Sequence, residues 1–173
     1  MARRLYSLNV VGNVVPFESK HEAGVLALIS GVFAEYDLTF DPAGYDADLT
    51  RIADAYQRSG GAFWVFEDDG AVVGTVGVAP ISPAEVEIKR LYLHAALRGR
   101  GIGRLLVEHA IGWAVARGYT RVRLWSDVKF TRSHVMYERL GFSRIGIRSC
   151  DDLDRSHEYG FEKPLSSLAP ARR

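Results

Sequence analysis

Cysteine is nearly absent from this sequence, and neither sign of charge dominates it. Cys150 is the only cysteine among 173 residues, so an intrachain disulfide is excluded and we expect a reducing, cytoplasmic compartment. No stretch approaches the roughly 20 apolar residues of a membrane-spanning helix, and the N-terminal segment lacks the apolar core of a signal peptide. The net charge of +1 disfavours a nucleic-acid partner, because proteins that bind nucleic acids present a basic surface.

The rest of the composition is that of an ordinary globular protein, and the length favours one domain over residues 1–173. Charge is nevertheless distributed unevenly along the chain. Residues 89–104 hold five Lys or Arg and no acid, whereas residues 35–54 hold six acids and a single Arg. The first segment therefore suits an anionic ligand, and the second suits a cationic one.

Hydrophobic periodicity and turn residues predict an alternation of strands and helices. The predicted strands cover residues 5–15, 62–67, 71–79, 85–93, 121–125, 142–148 and 158–163. The predicted helices cover residues 18–36, a segment capped by Asp46 and ended by Gly60-Gly61, residues 102–117, and a short segment capped by Thr131 or Ser133 and ended by Gly141. The order β-α-α-β-β-β-α-β-α-β-β predicts an α/β fold with a mixed sheet and helices on both faces.

The segment Arg98-Gly99-Arg100-Gly101-Ile102-Gly103 lies between a predicted strand and the longest predicted helix. Glycines at alternate positions expose backbone N–H groups at a helix start, where the helix dipole adds positive character. We therefore predict that the amides of residues 100–104 bind a phosphate or pyrophosphate. The alternative is a tight strand-to-helix turn without a ligand. A P-loop is excluded, because Gly-Lys-Ser/Thr is missing, and the spacing does not fit a dinucleotide-binding fold.

The strand before this loop changes its hydrophobic phase. Val86 and Ile88 are apolar at even positions, whereas Leu91 and Leu93 are apolar at odd positions. Because side chains alternate between the two faces of a strand, both pairs can face one core only if a residue is inserted. The pattern predicts a β-bulge near Lys89-Arg90; the alternative is a strand buried on both faces. A bulge leaves main-chain groups free for an extended ligand with amides of its own, such as the pantetheine of coenzyme A.

Two sequence motifs resemble those of one known family. The first is Leu91-Tyr92-Leu93 followed by the glycine segment 98–103, and the second is Met136-Tyr137-Glu138-Arg139-Leu140-Gly141-Phe142. In this order and separation they resemble the GNAT superfamily of acetyl-CoA-dependent N-acetyltransferases. The resemblance covers residues 60–163 and implies a GNAT-like mixed sheet with a splayed, bulged strand at residues 85–93.

The resemblance implies that acetyl-CoA serves as co-substrate, without a metal. The acetyl group would pass to a primary amine of a small molecule or a peptide by direct attack in a ternary complex. The implied coenzyme-binding residues are Leu91, Tyr92, Leu93, Arg98, Gly99, Arg100, Gly101, Ile102, Gly103, Arg104, Thr131 and Tyr137. Thr131 stands where many family members have Asn. A homodimer is a further expectation, because dimers are frequent in such families.

Acetyl transfer to an amine needs a proton donor for the thiolate and a base for the ammonium. Tyr137 is the predicted general acid. Glu87 is the first candidate for the base and Glu85 the second, and water could carry the proton instead. The alternative for Tyr137 is a tyrosine that only packs in the core, and the alternative for the two glutamates is a pair of solvent-facing carboxylates. His134 lies three residues from Tyr137, where it could contact substrate or play a structural role.

Two other functions are compatible with these motifs. One is a regulatory module that binds acyl-CoA without catalysis, and the other is transfer of a longer acyl group. The absence of a cysteine from both motifs argues against an acetyl-cysteine intermediate. For the acceptor we predict a small, cationic amine bound near the acidic segment 35–54.

Overall fold

A computed structural model describes residues 12–165, which form one seven-stranded sheet with helices on both faces. The strands are β1 Asn13–Pro16, β2 Ala62–Asp68, β3 Ala71–Pro80, β4 Glu85–Leu93, β5 Arg121–Asp127, β6 Ser143–Ser149 and β7 His157–Pro164. The α-helices are α1 Glu22–Glu35, α2 Ile102–Ala116 and α3 Thr131–Arg139. The strands are arranged in the order β1-β2-β3-β4-β5-β7-β6; β4 and β5 are parallel, and the other neighbours are antiparallel.

Each face of the sheet carries its own hydrophobic cluster. On one face, α2 and α3 pack on strands β2, β3, β4, β5 and β7 through residues such as Leu106 and Tyr137. On the other face, Val25 and Ile29 of α1 pack against Phe63 of β2. Burying alternate strand residues on both faces explains the apolar periodicity of the sequence and confirms the predicted α/β class.

The segment after α1 corrects the prediction of a second α-helix. It forms a 3₁₀ turn at Ala47–Thr50 and a π-helical turn at Ala53–Gln57 instead. Asp46 caps no helix with its side chain. Its carboxylate accepts hydrogen bonds from the Asp41 amide and from the Arg90 guanidinium. The predicted helix start depended on the Asp46 carboxylate, and this carboxylate pairs with Arg90 instead.

Other predicted boundaries are corrected by smaller amounts. The first α-helix begins at Glu22, after a 3₁₀ turn over Ser19–His21. The first strand begins at Asn13, and the part of its prediction before residue 12 lies outside the described residues. The start of α3 has no side-chain cap, so neither predicted capping residue acts as one. Within residues 12–165, no helix is both long and apolar enough to cross a membrane.

The β-bulge predicted in β4 is confirmed. Gly77 of β3 pairs with Lys89, whereas Thr75 pairs with Tyr92, so β4 holds one residue more than β3 between these two pairs. Arg90 lies in the bulge with a left-handed φ of 56°, and its carbonyl accepts a hydrogen bond of 2.8 Å from the Thr75 hydroxyl. The bulge restores the inward direction of the apolar residues that follow it.

Strands β4 and β5 separate at the bulge. Their parallel pairing ends at Ile88 and Leu124, although β4 continues to Leu93 and β5 to Asp127. Beyond this pair, the edge of β4 that faces β5 has no strand partner within the described part of the chain. The sheet therefore opens at its centre, and the opening leads into a cavity.

Candidate active site

The opening between β4 and β5 forms part of a cavity of about 620 Å³. Its walls come from the second half of β4, the glycine segment, the end of β5, α3, the C-terminal part of α1 and the loop between β6 and β7. This volume falls within the usual range for small-molecule sites. The sequence motifs that are far apart in the chain meet here.

The glycine segment presents the N-terminus of α2 to this cavity. Gly99 and Gly101 have φ angles of 80° and 82°, which side chains other than glycine adopt at a cost. The Leu105 amide donates to the Gly101 carbonyl at 3.0 Å, which closes the first turn of the helix. The amides that precede Leu105 at this helix start have no intrahelical acceptor, so the site is suited to an anion.

Arginine side chains around the segment have different partners. Arg98 donates to the carboxylate of Glu35 and, at 3.1 Å, to the Leu93 carbonyl, so it ties the segment to α1 and β4. Arg104 pairs with Glu108 at 2.8 Å on the surface of α2. These two charges are therefore partly neutralised by acids of the protein itself.

Arg132 approaches the glycine segment from the start of α3. A methyl group added to Gly99 would lie 3.5 Å from its Nη2 atom, and the side chain lines the cavity. Arg132 was not among the residues that the sequence predicted to bind the anion. Its position next to Thr131, one of the residues implied to bind the coenzyme, was the available signal.

Most of the predicted coenzyme-binding residues are brought together in the cavity wall. Those that line it are Leu91, Tyr92, Leu93, Arg98, Gly99, Gly101, Gly103, Arg104 and Tyr137. Arg100, Ile102 and Thr131 lie in the same segments but are not part of the wall. Ile102 is buried in the core instead.

Tyr137 lies in the wall of the cavity on the face of the sheet that carries α2 and α3. Its side chain is 4% exposed and packs against Phe142 and Phe161. Burial raises the pKa of the Tyr137 phenol well above its ordinary value, although the hydroxyls of Ser126 and Ser133 oppose this shift. The phenol therefore keeps its proton at neutral pH and is available as a donor.

The two glutamates predicted as bases lie outside the cavity wall. Glu85 pairs with Arg121 at 3.3 Å and with Arg123 at 3.4 Å near the start of β4. Glu87 lies 3.9 Å from the ammonium group of Lys89. Neither carboxylate is part of the cavity lining, so a base role for either stays a prediction that the cavity geometry does not favour.

Arg90 neutralises two acids of the segment 35–54. Its guanidinium donates to Asp46 at 2.6 Å and to Asp48 at 3.0 Å, and the side chain is 10% exposed. Burial alone would raise the pKa of Asp48, but Arg90 and the Tyr56 hydroxyl outweigh it and hold that pKa below its ordinary value. This buried cluster fixes the bulge of β4 to the turn that follows α1.

The acidic side of the cavity consists mainly of residues outside the segment 35–54. Asp127 ends β5, and Asp152, Asp154 and Glu158 follow β6. From the segment itself only Asp41 and Asp46 line the cavity. None of these four downstream acids was predicted from the sequence, because their chain positions do not indicate that they line the same cavity.

His134 has a structural environment. It is 5% exposed, and its Nε2 atom lies 3.0 Å from the Asp127 carbonyl and 3.2 Å from the Ser126 hydroxyl. Its ring packs against Tyr159 and Phe161. Burial lowers the pKa of this imidazole, so the ring is neutral near pH 7 and donates to the carbonyl. In the described part of the chain, no group of three or more His, Cys, Asp or Glu is arranged to hold a metal ion.

Solved structures with the same fold define the class of this protein. An acetyltransferase from Streptococcus agalactiae 2603 superposes with a TM-score of 0.79 over 89% of this chain and 98% of that chain, at 28% identity. The structure of yncA from Salmonella typhimurium, solved with its cofactor acetyl-CoA, has a TM-score of 0.72 at 18% identity, and covers 93% of this chain and 98% of that chain. The fold is that of acetyltransferases.

Sequence comparison identifies the family. The family model described as Acetyltransferase (GNAT) family matches residues 29–142. The uncharacterized N-acetyltransferase YjgM of Escherichia coli (strain K12) is 35% identical over 127 residues, which cover 70% of this chain and 75% of YjgM. The protein belongs to the GNAT acetyltransferase family. It spans 39% to 50% of the length of the vertebrate relatives that it matches.

Proposed function

We propose that this GNAT-family protein is one catalytic domain that transfers the acetyl group of acetyl-CoA to a primary amine of a small molecule or peptide. One observation carries the proposal: a single cavity combines an unpaired strand edge, a helix N-terminus and a protonated phenol. These groups match an amide-bearing arm, a pyrophosphate and a departing thiolate, which all belong to one coenzyme.

Acetyl-CoA would extend along β4 toward the glycine segment. The amides of Ile102, Gly103 and Arg104 would hold the pyrophosphate, with the charge of Arg132 beside them. The pantetheine amides would pair with the free edge of β4 beyond the bulge. A main-chain N–H of Leu91 or Leu93 would polarise the thioester carbonyl and stabilise the oxyanion that forms on attack. The likeness to yncA, solved with acetyl-CoA, supports this assignment.

The side chains around the opening support direct attack by the amine. Cys150, the single cysteine, is buried and does not line the cavity, so no thiol is in position to form an acetyl-enzyme. Tyr137 would protonate the sulfur as the C–S bond breaks. Both substrates would then be bound at the same time.

The acceptor would be a cationic amine. The cavity wall has arginines beside the glycine segment and carboxylates at the end of β5 and in the β6–β7 loop. The carboxylates would attract an ammonium group and repel an anionic acceptor. Residues 35–54 contribute less to this field than their sequence suggests, because Glu35, Asp46 and Asp48 pair with arginines.

A panel of amines tests the proposed function. Purified protein is incubated with acetyl-CoA and cationic, neutral or anionic primary amines, and the released thiol is measured. We expect release with cationic amines above the background hydrolysis, and less with the others. Equal turnover of anionic amines would contradict the acceptor class. Propionyl-CoA and longer acyl-CoAs in the same assay define the acyl group, and binding without any transfer would indicate a regulatory module.

Two further expectations stay predictions. A cytoplasmic location depends on the single cysteine of the sequence. A homodimer depends on family resemblance, and sedimentation of the purified protein measures it directly.

A further inference from the structure

We propose that Asp127 is the general base of this reaction and takes a proton from the acceptor ammonium group. The inference rests on the proposed acetyl transfer. Asp127 is the last residue of β5 and lines the cavity just beyond the point where β4 and β5 separate. Its carboxylate therefore lies at the opening where the thioester would be held.

Asp127 and Tyr137 belong to opposite sides of the sheet. Side chains alternate along β5, so Asp127 shares a face with Trp125, whereas Ser126 faces the other way. The Ser126 hydroxyl lies beside the Tyr137 phenol, on the face of α2 and α3. A thioester carbon in the opening would thus have the proton donor on one side and the carboxylate on the other. This is the arrangement that attack by nitrogen and departure of sulfur require.

The carboxylate of Asp127 is buried, and within the described part of the chain it forms no ion pair. The residue is 6% exposed, and its Oδ1 atom accepts the Lys129 amide at 2.8 Å. Within residues 12–165, no hydrogen bond or salt bridge engages its second oxygen. Of the neighbouring acids, Asp152 accepts hydrogen bonds from Ser156 through both of its oxygens, and Glu158 pairs with Arg148 through Oε2. Asp127 therefore keeps a free oxygen for a ligand proton.

The groups around Asp127 set its affinity for a proton. Burial raises the pKa of this carboxyl, while the Lys129 amide and ammonium group lower it. Glu158, its register partner on β7, and Asp152 from the β6–β7 loop raise it further. The net shift is upward, towards the assay pH, which makes the carboxylate a stronger base than an exposed aspartate.

The proton balance of the reaction is complete with these two residues. Asp127 takes one proton from the ammonium group, and the neutral nitrogen attacks the thioester carbon to form the C–N bond. The C–S bond then breaks, and Tyr137 gives its proton to the sulfur. The Tyr137 phenolate recovers a proton from the amide nitrogen, and Asp127 releases its own to solvent. The products are the acetamide, the free thiol of coenzyme A and one proton.

Asp127→Asn tests this role, because the amide keeps the shape and can still accept the Lys129 amide. With the fastest alkyl amine of the panel, we expect kcat/KM at pH 7 to fall about 10²- to 10⁴-fold. The limb of the pH profile that reports the Asp127 carboxyl should disappear. With hydroxylamine, which is neutral at pH 7, the loss should be much smaller. Acetyl-CoA affinity should stay within twofold of wild type.

Two comparisons separate the outcomes. Asp69→Asn, in the β2–β3 turn outside the cavity lining, serves as the matched control and should keep the wild-type profile. An active wild type whose Asp127→Asn variant keeps its rate and pH profile overturns the base assignment alone, as does loss of the limb in Glu87→Gln instead. If the wild type binds acetyl-CoA but none of the amines causes thiol release, the proposed function is overturned, and the base role with it.

Discussion

The charged side chains of this protein differ in their partners. Some are paired with other charged groups of the chain, whereas others face the cavity. Arg90 and Arg98 are bound by acids of the chain, whereas Arg132 faces the glycine segment. Among the carboxylates, Glu85 is held by two arginines, whereas Asp127 keeps a free oxygen at the opening. Pairing therefore distinguishes the residues available for chemistry more clearly than residue type does.

The first prediction at the residue scale concerns Tyr137. Tyr137→Phe removes the proton donor without changing the packing, so kcat should fall about 10²- to 10⁴-fold. Acetyl-CoA affinity, measured by calorimetry, should change little. Tyr119→Phe provides a control, because Tyr119 stacks on Trp113 and does not line the cavity. An unchanged kcat in Tyr137→Phe would leave the tyrosine with a packing role only.

The second prediction concerns the acid stability contributed by His134. Burial lowers the pKa of His134 in the folded protein from its ordinary value of 6.5. As pH falls below 6.5, the unfolded chain therefore binds this proton first, and the free energy of unfolding decreases. His134→Gln should show a shallower decrease between pH 7 and 5, by at most about 1.4 kcal/mol per pH unit. Urea unfolding at several pH values measures both curves, and parallel curves would contradict the assignment.

Two elements form the proposed coenzyme site, and each depends on a local departure from regular geometry. The bulge at Arg90 frees an edge of β4, and the left-handed glycines turn the chain so that α2 points its N-terminus at the same space. The buried ion pairs of Arg90 with Asp46 and Asp48 hold the first departure in place. The second departure, the left-handed backbone of the glycine segment, requires only glycine at those positions.

The prediction for these elements compares Gly101, which precedes α2, with Gly112 inside that helix. Gly101 has a φ of 82°, and a methyl group there would meet no protein atom within 4 Å, so the added methyl causes strain without a clash. Gly101→Ala should cost about 1 to 2 kcal/mol of stability and weaken acetyl-CoA binding by roughly tenfold or more. Gly112→Ala, inside the same helix and equally uncrowded, should instead stabilise by about 1 kcal/mol.

Thermal unfolding and coenzyme titration of both variants provide the measurements. Equal coenzyme affinity in the two variants would show that the backbone geometry at Gly101 is not needed for the coenzyme. A stabilised Gly101→Ala would contradict the strain argument.

At the scale of the whole molecule, the sheet is continuous at one end and divided at the other. Pairing of β4 with β5 joins the two halves from Glu85 to Ile88 only, and the cavity occupies the divided end. A ligand that binds both β4 and the helix segments would replace part of the missing pairing. Binding should therefore stabilise the entire fold rather than one loop.

This leads to a prediction about ligand-linked stability. Acetyl-CoA at about 100 times its Kd should add about 2.7 kcal/mol to the free energy of unfolding. For a chain of this size the Tm would rise by roughly 5 to 10 °C. Pantetheine, which lacks the pyrophosphate, should give a smaller rise at the same concentration, because it leaves the glycine segment empty. Equal shifts for the two ligands, measured by calorimetry, would contradict the pyrophosphate site.

Much of the fold and part of the site could be predicted from the sequence. The change of phase between Ile88 and Leu91 located the bulge, and the alternating glycines located the turn into α2, because both signals lie within a few residues. The helix predicted after Asp46 was wrong, because Arg90 draws the carboxylates of Asp46 and Asp48 into a buried pair. The local helix propensity was outweighed by the charge of Arg90, which lies 42 to 44 positions further along the chain.

The sequence by itself determined the family motifs, the alternation of strands and helices and the geometry of the glycine segment, since each depends on neighbouring residues. Only the tertiary structure decided which charges remain available. Glu35 is neutralised by Arg98 across 63 positions, and the acids of the β6–β7 loop face the cavity beside Asp127. The physical reason is that the availability of a charged group depends on the groups near it in space, and the packing of the sheet determines which groups those are.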